Sequence, residues 1–430
     1  MVKTLLAAVS IFASAPPGEV TPLDDAVVAA WATDARIQEA KYGYQAALES
    51  RSDALSYRLP QISGRGNLGY LDSKNLNSFG TLQRDGRQSS VGVEVNQSLY
   101  SFGRNGARKD IAHAEIEAAR YNVDLVINNV IMETVTAYFD VHRAKEVYTA
   151  HSRHVGDLSS LLEATEAQHA QDLLTTNDVA LVRSRHQQAI ARRESAHASL
   201  EQAYNVLIRL TMIPSIDTVH DHNSTKVLTE IPDLSQALLI GDSRHQLIKK
   251  AEMDLERAKA NAKLKMTENH PDVGLRASWN TGNIGGTPSG DRRVGLQFSM
   301  PLFDGGRSLS AWRRSKKEVS QAKARLNVLR RDTEQSIRQN WSYMASSRRV
   351  EENWQAALDA ERATLRGIER AVEERVESVI YLLEARDEMI SVHIEAINAK
   401  AEADIAHYKV LFETGIIMDQ FGIKALTSDP

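Results

Sequence analysis

Four stretches of this 430-residue chain alternate between apolar and polar positions with a period of two. In the first, Ile62, Gly64, Gly66, Leu68 and Tyr70 fall on one side, and Gln61, Ser63, Arg65 and Asn67 on the other. Val91, Val93, Val95 and Leu99 alternate with Ser90, Gly92, Glu94, Asn96 and Ser98. Val273, Leu275, Ala277 and Trp279 alternate with Gly274, Arg276, Ser278 and Asn280. Val294, Leu296, Phe298, Met300 and Leu302 alternate with Arg293, Gly295, Gln297 and Ser299. Successive side chains of a strand point to opposite faces, so the pattern predicts strand pairs at 61–71 with 90–100 and at 272–280 with 293–303. The connectors Asp72–Gln88 and Thr281–Arg292 have the Gly/Asn/Ser composition of exposed hairpin loops. Strands of about ten residues with one oily and one wet face are what a lipid-facing barrel requires. A half-buried soluble sheet would show the same alternation.

Elsewhere the period lengthens to that of a helix. Val319, Ala322, Leu326, Leu329 and Thr333 step by three and four, the spacing of a packed helix seam. After each strand pair a helical pattern without proline continues to about residue 174 or 376. At 1.5 Å per residue, ~70 residues span about 100 Å, far more than a globular core needs. Turns at Leu173–Asn177 and Arg375–Ser378 then lead into return helices of roughly half that length. A further half-length helix, 22–58 or 234–269, precedes each strand pair.

The chain repeats itself, which explains why every element occurs twice. Residues 91–104 read VGVEVNQSLYSFGR and residues 294–307 read VGLQFSMPLFDGGR, an offset of 203 (294 − 91). That offset also relates Leu162 to Leu365, Arg183 to Arg386, Ala196 to Ala399 and Thr211 to Thr414. Upstream, an offset of 211 relates Ile37, Ala40, Ala47 and Pro60 to Ile248, Ala251, Ala258 and Pro271. The organisation is therefore a first repeat at 22–213, a linker at 214–233, a second repeat at 234–416 and a tail at 417–430.

Residues 1–15 read as a secretory signal, with Lys3, an apolar run from Leu5 to Phe12 and the small-residue pattern Ala13-Ser14-Ala15. No later stretch approaches the ~18 apolar residues of a membrane helix. An exported chain without a spanning helix is periplasmic, secreted or a membrane β-barrel, and if the alternating strands span a membrane they form a barrel. Four strands cannot close one, and open edges are not tolerated in lipid, so several chains must share it. The net charge of −4 supplies no basic surface for nucleic acid. The absence of cysteine excludes disulfides, thiolate metal sites and a lipid-modified N-terminal cysteine.

Signs of catalysis are missing. His151 and His154 share a helix face, and His220 and His222 flank Asp221 in the linker, without an HExxH or comparable ligand set. Gly282–Gly290 is not followed by the Gly-Lys-Ser/Thr of a phosphate loop, and no nucleophile elbow occurs. The expectation is no enzyme, no metal and no cofactor.

In their paired order, Leu99-Tyr100-Ser101-Phe102-Gly103-Arg104 and Leu302-Phe303-Asp304-Gly305-Gly306-Arg307 resemble the TolC family of outer-membrane ducts. Thr176-Asn177-Asp178-Val179 and Ile380-Tyr381-Leu382-Leu383-Glu384-Ala385-Arg386 add to the likeness, which spans essentially the whole mature chain. The resemblance implies an α+β membrane protein with two internal structural repeats. Each protomer would give four strands to a shared trimeric transmembrane β-barrel of twelve strands, carried on a long α-helical periplasmic barrel. It implies the outer-membrane channel of a tripartite efflux or type I secretion system, in the Gram-negative outer membrane, with an adaptor (membrane fusion) protein and an inner-membrane pump as partners.

The resemblance also implies an acidic periplasmic entrance. The family's two acidic positions fall on Tyr381 and Glu384, so one acid is kept, and a basic position upstream falls on Glu377. Asp178 joins these as an entrance residue. Leu173, Asn177, Arg375 and Ser378 would be the adaptor-docking tips, and Gly103, Arg104, Gly306 and Arg307 the strand-to-helix motif. Neither turn has the glycine common in the family, so the latch contacts must differ. The competing class is a soluble periplasmic coiled-coil adaptor or scaffold, which also has long helices. A passive porin would have no use for them.

Overall fold

A computed structural model describes residues 23–77, 80–213, 233–284, 287–374 and 376–426. The signal segment, Arg375 and almost all of the linker, with His220, Asp221 and His222, lie outside the described residues. The elements are α1 (Leu23–Thr33), α2 (Ala35–Ser56), β1 (Gln61–Asn77), β2 (Gly80–Tyr100), α3 (Arg104–His169) and α4 (Thr176–Thr211). They recur as α5 (Leu234–Arg244), α6 (Gln246–Thr267), β3 (Asp272–Ile284), β4 (Thr287–Ser299), α7 (Arg307–Glu373) and α8 (Val379–Glu413), followed by α9 (Ile417–Gln420). The two halves carry the same elements in the same order.

Each leading helix is broken once, at Asp34 and at His245, positions related by the offset of 211 (245 − 34). This differs from the single helices expected over 22–58 and 234–269. At Asp34 the reason is a local cap: its carboxylate accepts from the Arg36 backbone N–H at 2.8 Å, and a new helix starts there. His245 has an extended backbone (ψ 120°), and its N–H closes α5 onto the Gly241 carbonyl.

The chain divides into two compact units, each built from both repeats. The helical unit draws on Met1–Glu39, Val123–Gln246 and Arg330–Pro430. Near the turns its core is Val155, Leu158, Leu161, Val182, Ala189, Leu382 and Leu383. Ala150, Ile390 and Ile397 form a second core. Ala385, Ala396, Ala399, Ala403 and Ala406 are buried along α8, where small side chains let neighbouring helices approach closely. Phe139, Tyr408 and Phe421 form an aromatic ladder, with ring centroids 5.8 and 6.0 Å apart. It holds the C-terminal segment, whose Leu426 N–H donates to buried Asp124 at 2.9 Å.

The second unit draws on Ala40–Asn122 and Leu247–Leu329 and contains the sheet. Ile248, Ala251 and Leu326 form the core between its helices. All strands are antiparallel, in the order β1-β2-β3-β4. The strands run well into the segments that their polar composition marks as loops. Pairing continues from Leu71↔Gly86 to Asn77↔Gly80, and from Thr281↔Gly290 to Ile284↔Thr287. Ladder hydrogen bonds come from the backbone, so a hairpin can extend after the apolar alternation ends. β4 stops at Ser299 instead of residue 303, because Pro301 has no N–H to donate. A bulge between Ser98 and Tyr100 makes Leu99 the extra residue, and Tyr100 takes the place opposite Val273.

Candidate functional site

The sheet has two unlike faces, and the register aligns each across all four strands. Ile62, Val95, Ala277 and Val294 follow one another on one face, with Gly64, Val93 and Trp279 beside them and the exposed Arg292 completing that second row towards the hairpin. Large side chains here, including Leu68, Val91, Leu296 and Phe298, are exposed rather than packed against another layer. An uncovered apolar face this wide would drive aggregation in water and suits hydrocarbon. The opposite face carries Gln61, Asn96 and Arg276 in one row and Ser63, Glu94, Ser278 and Arg293 in the next. These are the two faces expected from the alternation.

At the lower end of the strands Gly103 and Gly306 turn the chain into α3 and α7 with positive φ (+93° and +83°), where any Cβ would be strained. The arginines that follow differ. Arg104 is half-buried and donates to the carbonyls of Thr267 (3.3 Å) and His270 (3.2 Å), with Asp272 3.7 Å away. Arg307 is exposed, with Asp304 4.0 Å away as its charged neighbour among the described residues. The same motif thus crosses from the first repeat to the second, but reaches no equivalent partner from the second.

The two helical turns are closed by related caps. After α3, Asp172 takes the left-handed conformation (φ +56°), and the Leu173 N–H returns to the Gln168 carbonyl at 3.0 Å. This is the motif a glycine would ordinarily terminate, built with an aspartate. Thr175 and Asp178 form a capping box: the Asp178 N–H donates to Thr175 Oγ1, and the Asp178 carboxylate accepts from the Thr175 backbone at 2.9 Å. The Thr175 hydroxyl, which donates to the same carboxylate at 2.7 Å, and then the Thr175 backbone N–H hold the Asp178 carboxyl below its usual range. In the second turn the equivalents are Ser378 and Tyr381. Ser378 Oγ accepts from the Tyr381 N–H at 3.3 Å, and no acid closes the box.

Leu173, Asn177, Glu377, Ser378, Tyr381 and Glu384 are all exposed near these turns, while Leu382 and Leu383 between the last two are buried. Arg375, also expected here, lies outside the described residues.

Just above the turns lies a polar layer that the sequence pattern did not flag. Arg183 pairs with Glu166 at 2.7 Å and Arg386 with Glu369 at 3.3 Å, contacts related by the offset of 203 in both partners. Comparing acids as well as arginines between the repeats would have found them. Arg386 also donates to the Asp157 carbonyl at 2.7 Å, tying α8 to α3. His151 and His154, which share a helix face, are both buried. The reason is that α3 packs this face against its neighbours. His154 contacts Asp387 at 3.3 Å and Arg185 reaches the same carboxylate at 3.6 Å. The His154 hydrogen bond keeps the Asp387 carboxyl below its usual range.

The family description "outer membrane efflux protein" matches residues 27–211 and 239–411, well over half of the chain. The outer membrane efflux protein BepC of Brucella suis biovar 1 (strain 1330) is 25% identical over 417 residues, covering 95% of this chain and 88% of that protein. The outer membrane protein TolC of Escherichia coli (strain K12) is 22% identical over 399 residues, covering 87% of this chain and 78% of TolC. Among solved structures, the outer-membrane channel OprN superposes with a TM-score of 0.80 at 19% identity, covering 91% of this chain and 89% of the other. CusC does so with a TM-score of 0.79 at 16% identity, covering 92% of each. These two likenesses concern the fold.

Proposed function

Because the chain belongs to the outer membrane efflux protein family, an outer-membrane channel with a large periplasmic helical portion, we propose that three copies close one barrel and pass cargo from an inner-membrane pump and its adaptor to the exterior. The observation that carries this reading is the sheet. Its apolar face is uncovered, and among the described residues β1 and β4 each lack a neighbour on one side. A soluble coiled-coil adaptor would have to hide both the face and the edges.

The repeat supplies the joint. A residue of β2 recurs 203 positions later in β4, and a residue of β3 lies 211 positions after its counterpart in β1. The β2–β3 pair Glu94↔Ser278 therefore projects onto Gln297 of one chain against Asn67 of the next. The bonds from Arg104 to Thr267 and His270 project onto Arg307 against the carbonyls of Ser56 and Leu59 of the next chain. That contact accounts for an arginine left exposed in a single chain.

In this reading Glu384, Tyr381, Glu377 and Asp178 line the periplasmic entrance, and the tips at Leu173, Asn177, Arg375 and Ser378 meet the adaptor. The cysteine-free chain allows a direct test of closure. Asn67→Cys with Gln297→Cys should give an oxidant-induced covalent trimer on a non-reducing gel. Moving one partner to Ser63→Cys, about 13 Å along the strand, should abolish it. A folded, membrane-inserted Asn67→Cys/Gln297→Cys protein that stays uncrosslinked, with both thiols reactive to a maleimide, would rule out this joint.

A further inference from the structure

The polar face of the sheet carries an arrangement of charge that a duct wall does not require. Within 61–70, 86–100, 272–283 and 288–299, its charged side chains are Arg65, Arg276 and Arg293 against Glu94 and Asp291, with Asp272 at the base matched by Arg104 at 3.7 Å. The excess is one positive charge per chain.

Exposure sharpens this imbalance. Glu94 is sunk between strands, with a side chain only 13% exposed. It is held by Asn96 at 2.6 Å, Arg276 at 3.0 Å and Arg65 at 3.7 Å. Arg65 and Arg293 are 75% and 80% exposed. The solvent on this side meets guanidinium groups first, while the main carboxylate is drawn back behind them. A cleft of ≈ 700 Å³ lies here, lined by Arg65, Glu94, Arg276, Ser278, Asn280 and Arg293.

Resting on the shared-barrel reading, we infer that Arg65, Arg276 and Arg293 form a basic band around the barrel lumen that favours anionic cargo, with carboxylate or phosphate groups. Three chains give a net excess of three positive charges over three successive rows of the sheet. The band faces water through a low-dielectric wall, which focuses the field of a charged ring into the pore. Guanidinium also binds carboxylate and phosphate through paired N–H donors, so the band selects by geometry as well as by sign. Glu94 acts here as a positioning residue: it aims Arg65 and Arg276, and it leaves Arg293 to Asp291, 3.2 Å away and 40% exposed.

The test is side-specific block of single channels in planar bilayers, with inorganic tripolyphosphate as the probe. Added on the strand side, it should block the parent channel, and Arg65→Gln/Arg293→Gln should raise the half-blocking concentration at least about fivefold, since the net charge of the band changes from +3 to −3. Arg65→Lys/Arg293→Lys should restore most of the sign-dependent block but less of the bidentate part. Arg293→Gln alone, which leaves the Glu94 contacts intact, should act in the same direction and serves if the double variant does not assemble. Equal block of parent and Arg293→Gln channels, with normal conductance, overturns the anion band and leaves the duct standing. No conductance from a correctly inserted parent protein overturns the duct reading, and this inference with it.

Discussion

Leu296→Arg tests the inside–outside assignment at the point where the two faces differ most. Leu296 is 74% exposed, lies opposite Leu275, and sits one step from the centre of the apolar series Val294, Leu296, Phe298, Met300 and Leu302. If that face meets lipid, arginine near the bilayer midplane costs about 2–4 kcal/mol per chain. A trimer carries three copies, so the penalty sums to about 6–12 kcal/mol if the sites are independent. That is comparable with the whole stability of a typical domain. Gln297→Arg places the same side chain one residue away on the polar face and should cost little. The assay compares outer-membrane insertion and the temperature at which the detergent-resistant oligomer dissociates. Leu296→Arg should lower both severely, and Gln297→Arg should stay near the parent. Equal behaviour of the two, or a worse outcome for Gln297→Arg, would refute the assignment and the lipid-facing role of the sheet.

Three further outcomes are expected. Gly282→Ala would place a Cβ 2.2 Å from the Ser89 carbonyl oxygen and 2.8 Å from Ser90 Cα, which are backbone atoms with no freedom to move aside. It should therefore loosen the β2–β3 ladder by about 1–3 kcal/mol, read as a lower dissociation temperature. Burial pushes the Asp404 carboxyl up to about 6, with Glu351 adding to the rise, so the fold prefers its neutral form and loses stability as pH rises through 6. Asp404→Asn should thus stabilise the fold at pH 7.5 by up to about 1–3 kcal/mol, read as a higher melting temperature, with the gain shrinking below pH 6. Burial acts oppositely on His245 and His407, both held down to about 4, so their contribution is lost as pH falls from 6.5 towards 4, and Asp404→Asn should make that acid loss steeper. At the entrance, Glu384→Gln should lower cation selectivity in single-channel recordings with trimer stability unchanged, and Glu388→Gln should have no effect; equal behaviour of the two would take Glu384 out of the pore.

Much of this protein is written locally. The period-two alternation at 61–70, 91–95, 273–279 and 294–298 assigns the strands and their lipid-side residues, because a pleated strand has no other way to place successive side chains. The offsets of 203 and 211 identify the halves and, once β2 is seen to pair with β3, supply the proposed joint between chains. Local chemistry also legislates at Thr175 and Asp178, a capping box readable from four residues. Where strands end is less legible, since backbone pairing continues to Asn77 and Ile284 through polar residues.

Other features depend on partners far away in sequence. His154 looks like a solvated histidine until α3 meets α8 and sets it 3.3 Å from Asp387, 233 residues later (387 − 154). Arg104 and Arg307 occupy the same motif, yet among the described residues Arg104 reaches two carbonyls of the second repeat while Arg307 stays exposed beside Asp304. The two exposed arginines and the recessed Glu94 come from three different strands. Composition lists those charges, but only the strand register decides that they share a face and which of them meets water. A side chain's direction is set by its own backbone, whereas its burial and its charge partners are set by whatever the rest of the chain brings against it.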